Sequence, residues 1–195
     1  MFNFLLFTHF LFLFYSDHGD VNGDHNLWRK GFAYESSAHV PGFIVWPKSA
    51  EPVSIQRGSS TDLVTEIRDV FPTMLDISGD PIPPNGQIVN GSSWACLVKK
   101  DPTGSTCGPS NGPWRSYVDL EHSTVFNETI HWNALTDGKI KYVFRAFLND
   151  EQLFNLTADP YEYVNLATDN AYTDVLTLWR NRLVQQFETE GRGPN

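Results

Sequence analysis

An apolar run, MFNFLLFTHFLFLFY, fills the first fifteen residues and passes without a break into Ser16-Asp17-His18-Gly19. That junction narrows what the chain can form. A run this short cannot cross a bilayer as a helix, which takes about 20 apolar residues. It carries no basic n-region and no small-residue cleavage site, so it makes a poor leader peptide. Cleavage at its end would also cut into the most chemically loaded part of the chain. The expectation is therefore a buried strand from about Phe10 to Tyr15, apolar on both faces as parallel strands are. A membrane anchor is the competing reading. A carboxylate and an imidazole directly after such a strand sit at its carboxyl end, where open α/β sheets place ligands. Gly19 lets the chain turn sharply there.

Downstream, Ser16 to about Ser37 reads as a polar, Gly-rich loop and Val40 to Trp46 as a second buried strand, ended by Pro47. Thr61 to Ile77 has apolar residues at helical spacing, with Pro72 expected to kink or divide the helix and Gly79 to stop it. Asp80 to Gly112 is rich in Pro, Gly, Ser and Asn and reads as loop, with a short ordered piece near Trp94 to Val98. Strands are expected at Tyr117–Leu120, Trp132–Thr136, Lys141–Phe147 and Gln152–Leu156. Asp137-Gly138 and Asn149-Asp150 supply the turns of a meander. A last amphipathic helix spans roughly Ala171 to Phe187. The pattern indicates an α/β layer over residues 1–122 and a small α+β tail of antiparallel sheet plus helix over 123–195.

A formal charge of −9 argues against a nucleic-acid partner, because phosphate backbones need a basic stripe. An acidic chain that binds an anion must concentrate a few cations or a metal in one place. Cys96 and Cys107 are either two unpaired thiols or a local disulfide; their spacing is not that of a zinc site. Three N-glycosylation sequons, at Asn90, Asn127 and Asn155, lean toward a secretory route.

Within the loop after the first strand, Asp17 and His18 are candidate metal ligands, although Asp-His alone does not choose the metal. Asp20 and Arg29 read as solvated. Lys30 is a candidate anion binder, since Trp28, Phe32 and Tyr34 could desolvate its ammonium. His25 is either a proton donor near neutral pH or a loop-pinning hydrogen bonder.

The stretch SDHGDVNGDHNLWRKGFAYESSAHVP resembles the segment that gives sulfatases half of their metal site: S/T-D-H/N-G, then G-x-H-x-x-W-x-K, then Y-E and V-P. Asp69 to Asp76 resembles the D-x-x-P-T-L-L-D helix of that family, and Asn90 to Trp94 its D-G-x-S-L turn. Leu120-Glu121-His122 with Trp132 to Tyr142 resembles the strand pair that follows. Glu151 to Leu156 with Asp159-Pro160 through Ala167 resembles its E-x-L-F-D-L…D-P-x-E-x-x-N-L-A signature. The agreement runs from about Leu11 to Phe187.

The resemblance implies a partial alkaline-phosphatase-like sheet and hydrolysis of a small sulfated substrate. It implies a divalent cation, Ca2+ with Mg2+ as the alternative, held in part by Asp17 and His18. Lys30 would contact sulfate and His25 would lie near the substrate. The family's nucleophile is a formylglycine made from cysteine in C-x-P-x-R. Cys96 does not fit that motif, and Cys107-Gly108-Pro109-Ser110 lacks its Arg, with Asn111 in place. His39 stands where the family often has Arg. The chain thus looks like the carboxyl-terminal portion of a sulfatase, with a secreted or lysosomal lean. A non-catalytic relative and a phosphonate or phosphodiester hydrolase of the same superfamily are the alternatives.

Overall fold

The computed structural model describes residues 10–48, 55, 57–82, 90–99, 102–123 and 128–192. The apolar run before Phe10 and the sequon at Asn127 lie outside the described residues. The chain forms two compact units, one from residues 1–17 and 41–116, the other from 18–40 and 117–195.

In the first unit, β1 (Phe12–Tyr15) pairs antiparallel with β2 (Gly42–Val45), Phe12 opposite Val45 and Tyr15 opposite Gly42. This corrects the expectation of a strand buried in a parallel sheet. Phe12, Phe14 and Tyr15 are exposed, because a two-stranded ladder has two open edges and no described layer closes over both faces. Phe14 compensates by stacking on Phe43 across the pair at 4.8 Å between ring centroids.

The expected long helix is shorter. A 3₁₀ turn at Ile67–Asp69 leads into α2 (Val70–Ser78), while the short helix Glu35–Ala38 of the other unit is α1. Pro72 therefore lies in the first turn of α2, where a missing N–H costs nothing, and it neither kinks nor divides the helix. Gly79 stops α2 in the left-handed conformation, at φ 83°.

Buried Asp69 organises this unit. Its carboxylate accepts both guanidinium nitrogens of Arg115 at 2.5 and 2.6 Å, the Ser92 amide at 2.8 Å and the Trp94 indole at 3.1 Å. Five donors on one buried carboxylate, counting the Glu66 amide at 3.0 Å, offset its desolvation. The short ordered piece near Trp94 is α3 (Trp94–Lys99). Cys96 and Cys107 are bonded to each other and pack with Leu97 and Trp114.

The second unit is a meander of β3 (Val118–His122), β4 (Trp132–Thr136), β5 (Ile140–Arg145) and β6 (Asp150–Asn155), antiparallel throughout and in that spatial order. Side-chain alternation divides its core by face. Leu135, Tyr142 and Leu153 pack against Leu176, Trp179 and Leu183 of α4 (Thr173–Thr189). Trp132, Ala134, Val143 and Phe154 face Ala33 and Tyr34 of the loop over residues 18–40. That loop is thus one layer of the sheet's packing, and α4 is the other. Among the described residues no helix is long and apolar enough to cross a membrane.

The Cys96–Cys107 bond closes a loop over a sequence separation of 11, which stabilises by about 3 kcal/mol through restriction of the unfolded chain. The Cys96→Ser/Cys107→Ser chain is expected to lose stability of that order in urea denaturation. A midpoint equal to that of the oxidised parent would contradict it.

Candidate functional site

The 18–40 loop is folded on itself by backbone bonds. The Gly19 amide donates to Ser37 O at 2.8 Å, Val21 to Arg29 O at 2.9 Å and Gly23 to Leu27 O at 2.8 Å. Gly19 is required by contact, since a Cβ there would meet the Ser36 carbonyl oxygen at 2.1 Å. Asn22, His25, Asn26 and Arg29 all have positive φ, a conformation that bulky side chains rarely adopt. Such a loop holds its shape only if its neighbours over-determine it.

They do. The Trp132 indole donates to Gly31 O at 2.9 Å. Lys141 is fully buried, and its ammonium reaches Glu35 Oε1 at 2.6 Å, Glu162 Oε1 at 2.7 Å and Ala33 O at 2.8 Å. Glu162 Oε2 in turn accepts the Glu35 amide at 2.6 Å. Burial raises the Glu35 carboxyl, but the His39 hydrogen bond and the Lys141 charge outweigh it and hold the pKa at about 2. Burial also pushes Glu162 up, and there Lys141 does not fully reverse it. The Glu35 carboxylate raises the exposed His39, whose Nδ1 is 2.7 Å away.

Lys30 and His18 are brought together, Nζ to Nε2, at 2.6 Å. His18 Nδ1 lies 2.9 Å from Gly19 O. A carbonyl only accepts, so Nδ1 carries the imidazole hydrogen and the Nε2 lone pair receives the ammonium. The expected desolvation of Lys30 is not found: Lys30 is exposed and Trp28 is 71% exposed. The aromatic cover fails because Tyr34 stacks on His25 instead, at 3.8 Å between centroids. His25 Nε2 donates to the Tyr161 carbonyl at 2.9 Å and its ring also flanks Tyr163. This is the loop-pinning arrangement; a proton-donor role would require that bond to break.

Asp17 lies two residues past the end of β1 and is exposed. Among the described residues no group of three or more His, Cys, Asp or Glu is placed to hold a metal. Calcium takes six to eight oxygens, and His18 Nε2 faces the Lys30 ammonium at 2.6 Å. The described residues by themselves therefore do not fit a divalent cation. What they offer chemically is anion binding, by an exposed ammonium oriented by an imidazole. Sequence reasoning missed Lys141 and Glu162. The signal was available: one lysine in the run Ile140-Lys141-Tyr142-Val143-Phe144, on the inward side of the alternation.

Comparison with known proteins finds a match over residues 23–189 to the family model described as N-sulphoglucosamine sulphohydrolase, C-terminal. An arylsulfatase of Clostridium perfringens is 36% identical over 94% of this chain and 34% of its own length. The chain thus spans about a third of that relative. Among solved structures, BT4656 in complex with its substrate D-glucosamine-2-N,6-O-disulfate aligns with a TM-score of 0.75 at 20% identity, over 91% of this chain and 34% of the other. The phosphonate monoester hydrolase of Agrobacterium radiobacter aligns with a TM-score of 0.64 at 24% identity, over 90% and 34%. At these identities the structural likeness is one of fold.

The 35–39 turn is pH-dependent in two directions. Glu35, with its pKa held at about 2, contributes stability above the ordinary carboxylate value of 4.5 and loses it as pH falls through about 2. His39, raised, contributes below 6.5 and loses it as pH rises through its folded value. The penalty for Glu35→Gln, read by urea denaturation of parent and variant, is expected to be largest between pH 4.5 and 6.5, to shrink toward pH 2, and to shrink again as His39 loses its proton at higher pH. A penalty independent of pH would refute the assignment. Millimolar Ca2+ is expected to leave the melting temperature of the chain by itself unchanged; a marked rise would show a cation site.

Proposed function

This chain belongs to the sulfatase family, and from that premise we propose that it is the sulfate-binding carboxyl-terminal portion of a hydrolase of sulfuric esters. The observation that carries the reading is the Lys30–His18 contact at 2.6 Å on a loop closed by its own backbone bonds. His18 fixes one N–H of the ammonium and leaves the others to face an anion. A sulfate oxygen binds an ammonium through a charge-assisted hydrogen bond, roughly twice as strong as a neutral one. In an ester the same cation stabilises charge on the non-bridging oxygens as it builds toward the transition state. His25 holds the loop rather than the proton, and Tyr161 holds His25.

Asp17 and His18 would supply two ligands of a divalent cation, Ca2+ by family resemblance, only together with further donors. The nucleophile is likewise outside the cysteines of this chain, since both are consumed in one disulfide. The disulfide and the sequons support an oxidising, secreted or lysosomal setting. Among the described sequon residues Asn90 is exposed, whereas the Asn155 side chain accepts the Thr157 and Ala158 amides of its own turn. The substrate is a small sulfated molecule.

Two measurements test this. Titration of inorganic sulfate against the chain, followed by NMR, is expected to shift Lys30 and His18, and Lys30→Ala is expected to weaken the affinity by about tenfold or more. Shifts that are identical in the Lys30→Ala chain would overturn the site. The chain by itself is expected to turn over aryl sulfate negligibly, with or without Ca2+. Rates comparable to those of complete sulfatases would contradict the reading, and a preference for phosphonate monoesters would transfer it to that branch of the fold.

A further inference from the structure

We infer that Lys141 is a positioning residue for the sulfate-binding loop, acting through two anchored points on either side of Lys30. The inference rests on the reading of Lys30 and His18 as an anion-binding pair. Lys141 lies on β5, on the face that meets the loop, and its ammonium donates to Ala33 O and pairs with the Glu35 and Glu162 carboxylates through their Oε1 atoms. Two carboxylates from distant parts of the sequence share this buried space. Without the ammonium they would repel each other across low dielectric, so the cation decides whether residues 33–35 and Glu162 can sit together at all.

The second anchor follows from the first. Glu162 belongs to a turn closed by its own amide on Asp159 O at 3.1 Å and by the Val164 amide on Asp159 Oδ2 at 2.8 Å. Its φ of 57° is unfavourable for a glutamate, and it persists in a residue held by Lys141 and by the Glu35 amide. The neighbouring Tyr161 carbonyl receives His25, and Tyr163 flanks the His25 ring. Lys141 thus holds Ala33 directly and His25 through the turn. Lys30 lies between those two points, next to Gly31, whose carbonyl is held by Trp132. An exposed lysine has many rotamers. Fixing its backbone from both sides is what lets His18 complete its orientation, and small displacements of a binding group are costly.

A residue that only stabilises would lower the melting temperature without moving the loop, so the test separates the two. Lys141→Met strands the buried Glu162 carboxylate and the half-buried Glu35 carboxylate. Lys141→Met/Glu35→Gln/Glu162→Gln removes the charges together and keeps the volume, and it serves where the single variant fails to fold. Arg180→Ala, which breaks the surface pair with Glu151 on the same sheet, is the stability control. NMR follows three readouts: amide shifts of β4 to β6, the ring-current shift of His25 from Tyr34, and the affinity for inorganic sulfate. The triple variant is expected to keep the strand shifts, lose the His25 ring-current shift, and bind sulfate about tenfold more weakly. Arg180→Ala is expected to change neither loop readout. Unchanged His25 shifts and sulfate affinity in a folded triple variant would overturn the inference. If the parent binds no sulfate but His25 still depends on Lys141, the proposed function fails and the hold on the loop stands. If neither is seen, both fail.

Discussion

A buried ammonium between two carboxylates is the interaction on which the site-bearing unit depends. Lys141 cannot be fully buried on a sheet face without partners, because desolvating an unpaired charge costs several kcal/mol. Its partners come from the 18–40 loop and from the 159–163 turn, so satisfying the lysine forces both segments onto the sheet. The same ion pairs are a weak source of net stability, since desolvation consumes much of the Coulombic gain. Their value lies in specificity: the loop has one place where its two acceptors and the turn's carboxylate meet one cation. Apolar packing then finishes the layer, with Ala33 and Tyr34 against Val143 and Phe154.

The other unit uses the same device with the sign reversed. Buried Asp69 gathers Arg115, Ser92, Trp94 and Glu66 around one carboxylate, and a disulfide closes the adjacent loop. Both units thus rely on a single buried charge to collect segments with little regular structure. Short elements and long loops leave few alternatives: α1 and β2 have four residues each, too few to hold themselves.

Much of this was legible in the sequence. The meander followed from Asp137-Gly138 and Asn149-Asp150 between alternating strands, and α4 from its apolar stripe, because those signals are local. The resemblance singled out both Lys30 and His18, and their side chains lie 2.6 Å apart. What was misread depended on tertiary partners. Phe12 to Tyr15 has the composition of a parallel core strand, yet composition does not name the neighbour, and the neighbour is antiparallel. Pro72 looked like a helix break because the preceding residues share the helical period, but the capping box between Glu66 and Asp69 starts the helical stretch there. Tyr34 was assigned to Lys30 by proximity in sequence, whereas the positive φ values around His25 turn that ring onto it.

The central claim is that Lys30 presents its ammonium to a sulfate oxygen from a loop held by Lys141. A crystal structure of the chain grown with selenate, the heavier isostere of sulfate, tests it most directly through anomalous scattering. The account predicts a selenium peak with an oxygen within about 3 Å of Lys30 Nζ, and Lys141 still bonded to Glu35, Glu162 and Ala33. A peak away from Lys30, or an ordered Lys30 loop with the Lys141 contacts broken, would contradict it.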